Sequence, residues 1–291
     1  MTPQSVCAVI ITYHPSANVL ANLRRLLAQV PVLVVVDNGS SPDEIDPIRR
    51  ESRALGFELI ENRENLGIAE ALNQGVRWGK SKGHPWLILF DQDSAITENF
   101  IDHMLASWQT HPQRERVGSI YPRYVSPRTG MEAEVPRASD GTPVLPMTSG
   151  SLMPAWIFDE VGWFASEYFI DLVDWEYSFR IRAAGYLVAQ AKQALLFHAP
   201  GNPATTRILG CAFHTTHHSP LRHFYIARNS IAFYRKYLFL FPRWILKVIY
   251  RQLHDTAMSL IAEEDRALKL RSFLQGTWDG LMGRMGKRDK L

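Results

Sequence analysis

An open, mostly parallel α/β sheet is predicted by two hydrophobic periods that alternate along the first 120 residues. Short runs rich in β-branched and aromatic residues occupy positions 6–13, 32–37, 57–61 and 86–91. Longer amphipathic stretches, such as ANVLANLRRLLAQ and GIAEALNQGVRWGKSKG, separate them. Continuous apolar strands that alternate with helices are typical of a parallel sheet covered on both faces. Because such crossovers are right-handed, the sequence predicts a doubly wound sheet.

The size and composition are those of an ordinary globular protein. The chain has 291 residues, of which 46% are hydrophobic and 21% charged, enough for one large domain or two modest ones. Its two cysteines, Cys7 and Cys211, have no metal or redox spacing, which indicates a reducing compartment. No basic segment precedes the first apolar run, and no apolar run approaches the roughly 20 residues of a membrane-spanning helix. We therefore expect a cytoplasmic protein, soluble or peripheral at the inner face of the cell membrane.

The carboxyl-terminal part of the chain is basic. Residues 221–291 contain 14 Lys and Arg against 6 Asp and Glu, and aromatic and basic residues alternate over 233–253 without an acid. This pattern is typical of helices that lie on an anionic membrane surface. Core-facing aromatics covered by Arg stems, or the interface of a homo-oligomer, would give the same pattern. No nucleic-acid module is present, and the rest of the chain is acidic, so nucleic acid is not expected as a partner.

These observations divide the chain into a domain over 1–219 and a helical extension over 220–291. A Pro- and Gly-rich middle, 121–146, predicts loops or hairpins, and a helix is expected over about 171–184. In the HTTHH stretch, His214, His217 and His218 could share a metal on a helix, but a solvated loop is favoured.

Polar residues follow three of the predicted strands, where a doubly wound sheet binds its ligands, and the first of these strands ends at Thr12 and Tyr13. Asp91 and Asp93 end the fourth strand, and strand alternation points both to one side. Two carboxylates together with phosphate oxygens suit Mg²⁺ or Mn²⁺. The alternative is that Asp93 or Ser94 caps the next helix. Asp37, in DNGS, fits either a turn with a helix cap or a hydrogen bond to a nucleotide base or ribose.

A glycine opens the third predicted helix. In Asn65-Leu66-Gly67, Gly67 would let backbone N–H groups approach a phosphate at the helix start, although the segment taken alone favours a simple left-handed turn. The segment matches neither a Walker A loop nor G-x-G-x-x-G.

Three acids crowd the segment YFIDLVDWEYSFR. Asp171 and Asp174 are expected on one helix face, whereas Glu176 is spaced to pair with Arg180. A carboxylate here could act as a general base, or the acids could simply stabilise the helix start.

The ordered set of motifs resembles one family. ITYH, VVDNGSS, ENLGIAEALNQG and FDQDS are followed by TSGSLM, YFIDLVDWEYSFRIRAAGY, LFHAPGN, LRHFYIARN and GTWDGLMGRMG. In this order they resemble the inverting GT-A glycosyltransferases of the bacterial rhamnosyltransferase-like branch, over nearly the whole chain. The resemblance implies transfer of rhamnose from dTDP-L-rhamnose to a saccharide in surface polysaccharide or O-antigen synthesis. The basic tail leads to the hypothesis that this acceptor is lipid-linked. A UDP- or GDP-sugar donor remains an alternative, as do a sugar nucleotidyltransferase and a non-catalytic nucleotide-sugar-binding protein.

The resemblance also assigns residues. A Mg²⁺ or Mn²⁺ ion would be held by Asp91, Asp93 and His198, with Asp93 as its main ligand. The general base would be Asp174; because the family often has Glu-Asp where this chain has Val173-Asp174, Asp171 remains a rival. The nucleotide sugar would be bound by Thr12, Tyr13, Asp37, Asn65, Gly67, Asn73, Asp91 and Gln92. The acceptor side would be formed by Ser149, Gly150, Trp163 and Asp171.

Overall fold

The fold was obtained as a computed structural model. It describes residues 2–133, 135–137, 145–198, 204–208, 211–215 and 217–288, with the backbone alone for 204–208 and 211–215. The chain forms two compact units. The first comprises Met1–Ser166 and Val173–Ala199, and the second comprises Glu167–Leu172 and Pro200–Leu291. The predicted division into a domain over 1–219 and a helical extension over 220–291 stays a prediction.

The first unit is built on an eight-stranded mixed sheet in the order β3-β2-β1-β4-β7-β6-β8-β5. Its neighbours are parallel except where β7 meets β4 and β6 and where β5 meets β8. This arrangement confirms the predicted α/β class. The strands are β1 (Val6–Thr12), β2 (Val32–Asp37), β3 (Glu58–Glu61), β4 (Trp86–Asp91), β5 (Ala95–Ile96), β6 (Val117–Val125), β7 (Ser151–Pro154) and β8 (Leu187–Phe197).

Helices cover this sheet, and local sequence explains where they start and how closely they pack. Ser41 and Glu44 form a capping box at the start of α2. Gly75 lets α3 approach β1, because a Cβ there would lie 2.2 Å from a methyl carbon of Val9. The helices are α1 (Val19–Leu27), α2 (Pro42–Leu55), α3 (Ile68–Ser81), α4 (Phe100–Gln109), α5 (Ile157–Glu160) and α6 (Val173–Ala183).

The predicted hairpins or loops of 121–146 begin with the end of β6, at Val125, which forms an isolated antiparallel bridge with Glu132. Pro122 is accommodated because the pairing register with β8 shifts between Tyr121 and Arg123. A proline without an N–H donor is tolerated at such an irregularity.

The second unit is mainly helical, as its sequence predicts. It contains α7 (Pro220–Tyr237), α8 (Pro242–Ala262) and α9 (Arg266–Leu281), with an antiparallel pair of strands, β9 (Ala204–Ile208) and β10 (Cys211–Thr215). Gly276 allows α9 to pack tightly on α7, since a Cβ there would lie 2.2 Å from the carbonyl oxygen of Phe224. In the described part of the chain, no helix combines the length and the apolar character needed to cross a membrane.

Candidate active site

Strand pairing brings the two aspartates of the DQD triplet to His198. Asp91 is the last residue of β4, and the chain turns through Asp93 directly into β5. Ala95 of β5 pairs with Phe197 of β8, so the residue before β5 lies beside the residue after β8. The His198 N–H also donates to the carbonyl of Val125, which fixes the end of β8 against β6.

Asp91, Asp93 and His198 form a cluster with the chemistry of a metal site. His198 Nδ1 lies 3.4 Å from Asp93 Oδ1, and His198 Nε2 lies 4.0 Å from Asp91 Oδ2. One ligand atom from each residue lies within 4.8 Å of the others. His198 is buried, whereas Asp93 is about half exposed and opens the cluster to solvent. Two carboxylates and an imidazole with an open side fit a divalent cation that keeps further positions for water or phosphate.

Two serines hold the cluster in place. Ser94 Oγ lies 3.1 Å from His198 Nδ1 and 2.7 Å from Ser149 Oγ, which in turn accepts the backbone N–H of Asp91. Gly150, with φ of 78°, turns the chain so that its own N–H reaches the carbonyl of Leu89. The alternative in which Asp93 or Ser94 caps the next helix is wrong, because α4 begins only at Phe100.

The charges in this cluster shift one another's protonation. Loss of solvent raises the pKa of Asp91, and the negative charge of Asp93 raises it further, against the opposing effect of His198. Burial by itself would lower the pKa of His198, but the hydrogen bond with Asp93 and the charges of both aspartates outweigh it, so the net shift is upward. A divalent cation would replace the proton that these groups compete to hold.

At the end of β2, the Asp37 carboxylate is surrounded by donors from the protein. Its oxygens accept hydrogen bonds from the Thr12 hydroxyl, from the N–H groups of Gly39 and Ser40, and from the Ser40 hydroxyl. The cap of α2 is Ser41, so Asp37 shapes the preceding turn. A direct bond to a base or ribose stays a prediction, and it requires one of these four bonds to be given up.

Tyr13 and Gln92 join the ends of β1 and β4. The Gln92 amide accepts the Tyr13 N–H at 2.9 Å and donates to the Tyr13 carbonyl at 3.1 Å, which extends the backbone pairing by a side chain. The Tyr13 ring is 41% exposed and contacts the ring of His14. The exposed ring could stack on a nucleobase. Its predicted role in nucleotide binding stays a prediction.

The predicted phosphate loop before α3 is interlocked with the turn after β2. Asn65 Oδ1 accepts the Gly67 N–H and the Asn38 amide, and Asn38 Oδ1 accepts the Leu66 N–H. Gly67 has φ of 87° and ψ of 157° at the start of α3, a conformation that favours glycine but is not that of a simple left-handed turn. Because side chains already occupy the Leu66 and Gly67 amides, a phosphate contact there stays a prediction.

Asn73 of α3 contacts the loop that carries Trp163. The buried Asn73 amide both accepts from and donates to the backbone of Phe164, and so it fixes the loop that carries Trp163. The Trp163 ring stacks on Phe158 and lies under the Arg77 guanidinium, 5.1 Å from its centroid. The structure therefore gives Asn73 a supporting contact with this loop; its predicted contact with the nucleotide stays a prediction.

Asp174 lies in the first turn of α6 and lines a narrow cleft with Thr148, Tyr177 and Ser178 among others. One of its oxygens accepts the N–H of Trp175. Burial raises the pKa of Tyr124 well above its usual range, and the nearby charges of Asp174 and Asp91 raise it further. Asp174 and Asp91 therefore both lie near enough to Tyr124 for their charges to raise the pKa of its hydroxyl.

Asp171 is not on a helix face with Asp174, which corrects the sequence prediction. It precedes α6 in the left-handed conformation, with φ of 65°, and its two oxygens pair with the Arg222 guanidinium. The expected pair between Glu176 and Arg180 is present, with Arg180 Nε 3.1 Å from Glu176 Oε1. An α-helical extrapolation from spacing alone missed Asp171 because its conformation is set by contacts with α7.

The HTTHH histidines are only partly described. The side chain of His214 lies outside the described residues. The N–H of His217 donates to Glu263, and burial lowers the pKa of His218 to about 4, helped by the charge of Arg222. In the loop before α7, His217 is exposed and His218 is half-buried.

Sequence reasoning missed several residues that support these groups. The hydroxyl of Ser94 bridges to His198, and the buried amide of Asn38 joins two loops. Tyr124 donates to the carbonyl of Met147 beside Asp174. In the second unit, Arg228 and Asn229 bind backbone carbonyls of the Glu167–Leu172 segment. Ser94 directly follows the DQD triplet, and Arg228-Asn229 ends the LRHFYIARN motif. Their positions within or beside these motifs were the sequence signal that could have identified them.

The sequence also has recognisable relatives. A family model described as glycosyl transferase family 2 matches residues 7–157, just over half of the chain. The dTDP-rhamnosyl transferase RfbF of Shigella flexneri is 28% identical over 298 residues, 97% of each chain.

Solved structures share the fold. A mannosyltransferase from Pyrobaculum calidifontis, in complex with GDP-Man and Mn²⁺, superposes with a TM-score of 0.59 at 14% identity, over 97% of this chain and 89% of that one. GalNAc-T7 with UDP, GalNAc and Mn²⁺ superposes with a TM-score of 0.56 at 14% identity. That match covers 77% of this chain, which in turn spans only 46% of GalNAc-T7.

The mixed sheet, the strand-end cluster and these similarities define a GT-A glycosyltransferase. The chain belongs to glycosyl transferase family 2, within the rhamnosyltransferase-like branch that its motifs resemble.

Proposed function

We propose that the enzyme transfers rhamnose from dTDP-L-rhamnose to a saccharide hydroxyl, with inversion at the anomeric carbon. The observation that carries the proposal is the cluster of Asp91, Asp93 and His198 at the carboxyl ends of β4 and β8. The choice of donor is supported by the similarity to a dTDP-rhamnosyl transferase over 97% of both chains.

The residues of the cluster fit a Mg²⁺ or Mn²⁺ ion, which when bound would neutralise the charge of the departing nucleoside diphosphate. Asp93 is the most exposed of the three and would face the diphosphate. His198 would bind as the neutral imidazole, and the Ser94 hydroxyl would orient its ring. Tyr13, with its exposed ring beside the end of β1, would stack on the base.

Asp174 is the residue that would take the proton of the acceptor hydroxyl. Its rival, Asp171, has both carboxylate oxygens engaged by the Arg222 guanidinium, so it already has a partner within the protein. Asp174 lines a cleft with Thr148, Tyr177 and Ser178 among others, where an acceptor hydroxyl would approach it. Trp163, Ser149 and Gly150 are proposed to lie on the acceptor side.

The direct test is transfer by the purified enzyme with dTDP-L-rhamnose, measured as release of dTDP and as the mass of the product. Asp174→Asn should lower kcat by about 10²–10⁴-fold, the usual contribution of a general base, while donor binding measured by calorimetry is retained. Asp159→Asn is the matched control, because Asp159 is an exposed helical acid paired with Lys80. Normal turnover by Asp174→Asn would refute the assignment, and turnover only with UDP- or GDP-sugars would change the donor.

We further propose that the acceptor is lipid-linked and that the second unit lies on an anionic membrane surface. On α8, the basic residues Arg243, Lys247 and Arg251 are spaced four apart and exposed. The exposed apolar side chains beside them include Tyr250, which is 74% exposed, and Phe239, in the turn before α8, is 92% exposed. A basic row beside exposed apolar groups fits an interfacial helix that lies on anionic lipid.

Sedimentation with vesicles tests this surface. Binding is expected with phosphatidylcholine vesicles that contain phosphatidylglycerol, and it should fall with salt and without the anionic lipid. Leu246→Ser combined with Tyr250→Ser should weaken it, whereas Leu55→Ser, at an exposed apolar residue of α2, should not. Loss of oligomer rather than of vesicle binding in the double variant would identify the surface as a subunit interface.

A further inference from the structure

The segment Glu167–Leu172, which immediately precedes α6, has a strained backbone. Phe169, Asp171 and Leu172 have positive φ angles of 63°, 65° and 61°, although none of them is glycine. Left-handed conformations are unfavourable for such residues, and several within one short segment persist only when their surroundings determine them strongly. The question is what holds this segment.

Two buried residues of α7 hold it by its backbone. The Asn229 side-chain nitrogen donates to the carbonyl oxygens of Tyr168, Ile170 and Asp171 at 2.9, 2.7 and 3.0 Å. Arg228 donates to the carbonyls of Glu167 and Tyr168 at 3.3 and 3.1 Å.

Arg228 is itself fixed from both sides. Its Nε donates to the side-chain oxygen of Asn229, its guanidinium also reaches the carbonyl of Gly286, and it lies 4.8 Å from the centroid of the Tyr225 ring. At 2% exposure, Arg228 is among the largest fully buried side chains of the described residues. The N–H donors of a guanidinium have a fixed geometry. A buried guanidinium that donates to several backbone carbonyls therefore holds those carbonyls in one arrangement.

We propose that Arg228 and Asn229 are positioning residues for glycosyl transfer, which form a clamp on Glu167–Leu172 and so set the start of α6. The proposal rests on the proposed role of Asp174, because Leu172 is bonded to Val173 and the candidate base is the next residue. Without the clamp the strained residues relax, and the carboxylate of Asp174 is no longer held at one place. Neither clamp residue contacts substrate in this scheme.

The experiment compares Asn229→Ala with Ser230→Ala, a neighbouring and equally buried position of α7 whose hydroxyl makes no hydrogen bond to Glu167–Leu172 in the described structure. Hydrogen–deuterium exchange, read by mass spectrometry on the peptide containing 167–172, should quicken in Asn229→Ala and stay unchanged in Ser230→Ala. Since a displacement of about 1 Å can cost about 100-fold in rate, kcat should fall to that degree while the donor KM stays within about twofold. Asn229→Ser, which keeps one donor, should give intermediate values and serves if the alanine variant does not fold.

Three results would overturn the proposal. The first is unchanged exchange in Asn229→Ala, and the second is faster exchange with unchanged kcat. The third is a fall of kcat together with weaker donor binding and lower thermal stability, which would indicate a merely structural role. The exchange measurement needs no substrate, so a failure of the proposed donor or reaction would appear as inactivity of the wild-type enzyme and would be distinguished from failure of the clamp.

Discussion

The buried ion pair between Glu263 and Lys269 gives the sharpest stability prediction. Lys269 Nζ lies 2.6 Å from Glu263 Oε2, and both side chains are almost fully buried. Glu263 also accepts the Ser259 hydroxyl and the His217 N–H. Replacing Lys269 with Met leaves the carboxylate buried with neutral donors only, and breaking such a pair costs about 3–5 kcal/mol.

The pKa of Glu263 gives a similar magnitude by a different route. Burial by itself would raise this pKa, but the hydrogen bonds from Lys269 and Ser259 outweigh it and lower it from 4.5 to about 2. That difference corresponds to about 3 kcal/mol of stability. Because the folded pKa is the lower one, this stability is fully present above pH 4.5 and is lost as the pH falls toward 2.

The assay is urea unfolding followed by circular dichroism between pH 7 and pH 3. Lys269→Met should be less stable by about 3–5 kcal/mol at pH 7, with a smaller difference at pH 3. The double change Glu263→Leu with Lys269→Met should recover most of the loss, since it removes both charges. Arg24→Met, which breaks an exposed pair with Glu51, should cost less than about 1 kcal/mol. A Lys269→Met protein within 1 kcal/mol of the wild type, or a double variant no better than the single one, would refute this reasoning.

Three further predictions concern packing, metal affinity and thiol reactivity. Gly75→Ala should lower the free energy of unfolding in urea by about 1–3 kcal/mol, because the added Cβ meets Val9. Gly56→Ala, which has open space around it, should lower it by only about 1 kcal/mol through backbone strain. Equal losses in the two variants would contradict the clash. The pKa of His198 is raised, and a protonated imidazole cannot bind metal, so the Mn²⁺ affinity measured by calorimetry should fall about tenfold per pH unit below that pKa. His198→Gln should weaken this pH dependence. A wild-type affinity that does not change with pH would argue against His198 as a metal ligand. Burial raises the pKa of Cys7 to about 12, so iodoacetamide at pH 8 should label Cys7 only after unfolding, and peptide mapping that finds it alkylated in the native protein would disprove this.

The sequence predicted the elements whose signals are local. The apolar run before Asp91 defines β4, and the DQD triplet lies at its carboxyl end, as the fold rule requires. Proximity to His198 could be expected only from the family resemblance, because it depends on the pairing of β5 with β8.

The acids before α6 show where such reasoning stops. Spacing places Asp171 and Asp174 on one helix face, but the backbone at Asp171 is left-handed because α7 binds its carbonyl and carboxylate. Asp37 shows the same limit from another side. Its residue type suits a ribose contact, and only the structure reveals that four donors from the protein already surround it. Tertiary hydrogen bonds decided the first case, and these have no signature in sequence spacing. For Asp37, the donors on Gly39 and Ser40 are local and fit the predicted turn, and only the Thr12 hydroxyl comes from another strand.

The wide separation in sequence between Asp93 and His198 has a consequence for synthesis. Roughly a hundred residues lie between them, so at about 5–20 residues per second the ribosome makes the aspartates some 5–20 seconds before the histidine. During that interval β6 lacks its partner β8, and its unpaired edge can pair wrongly. The proposed cation site therefore has all three of its side chains only after β8 has been made and has joined the sheet.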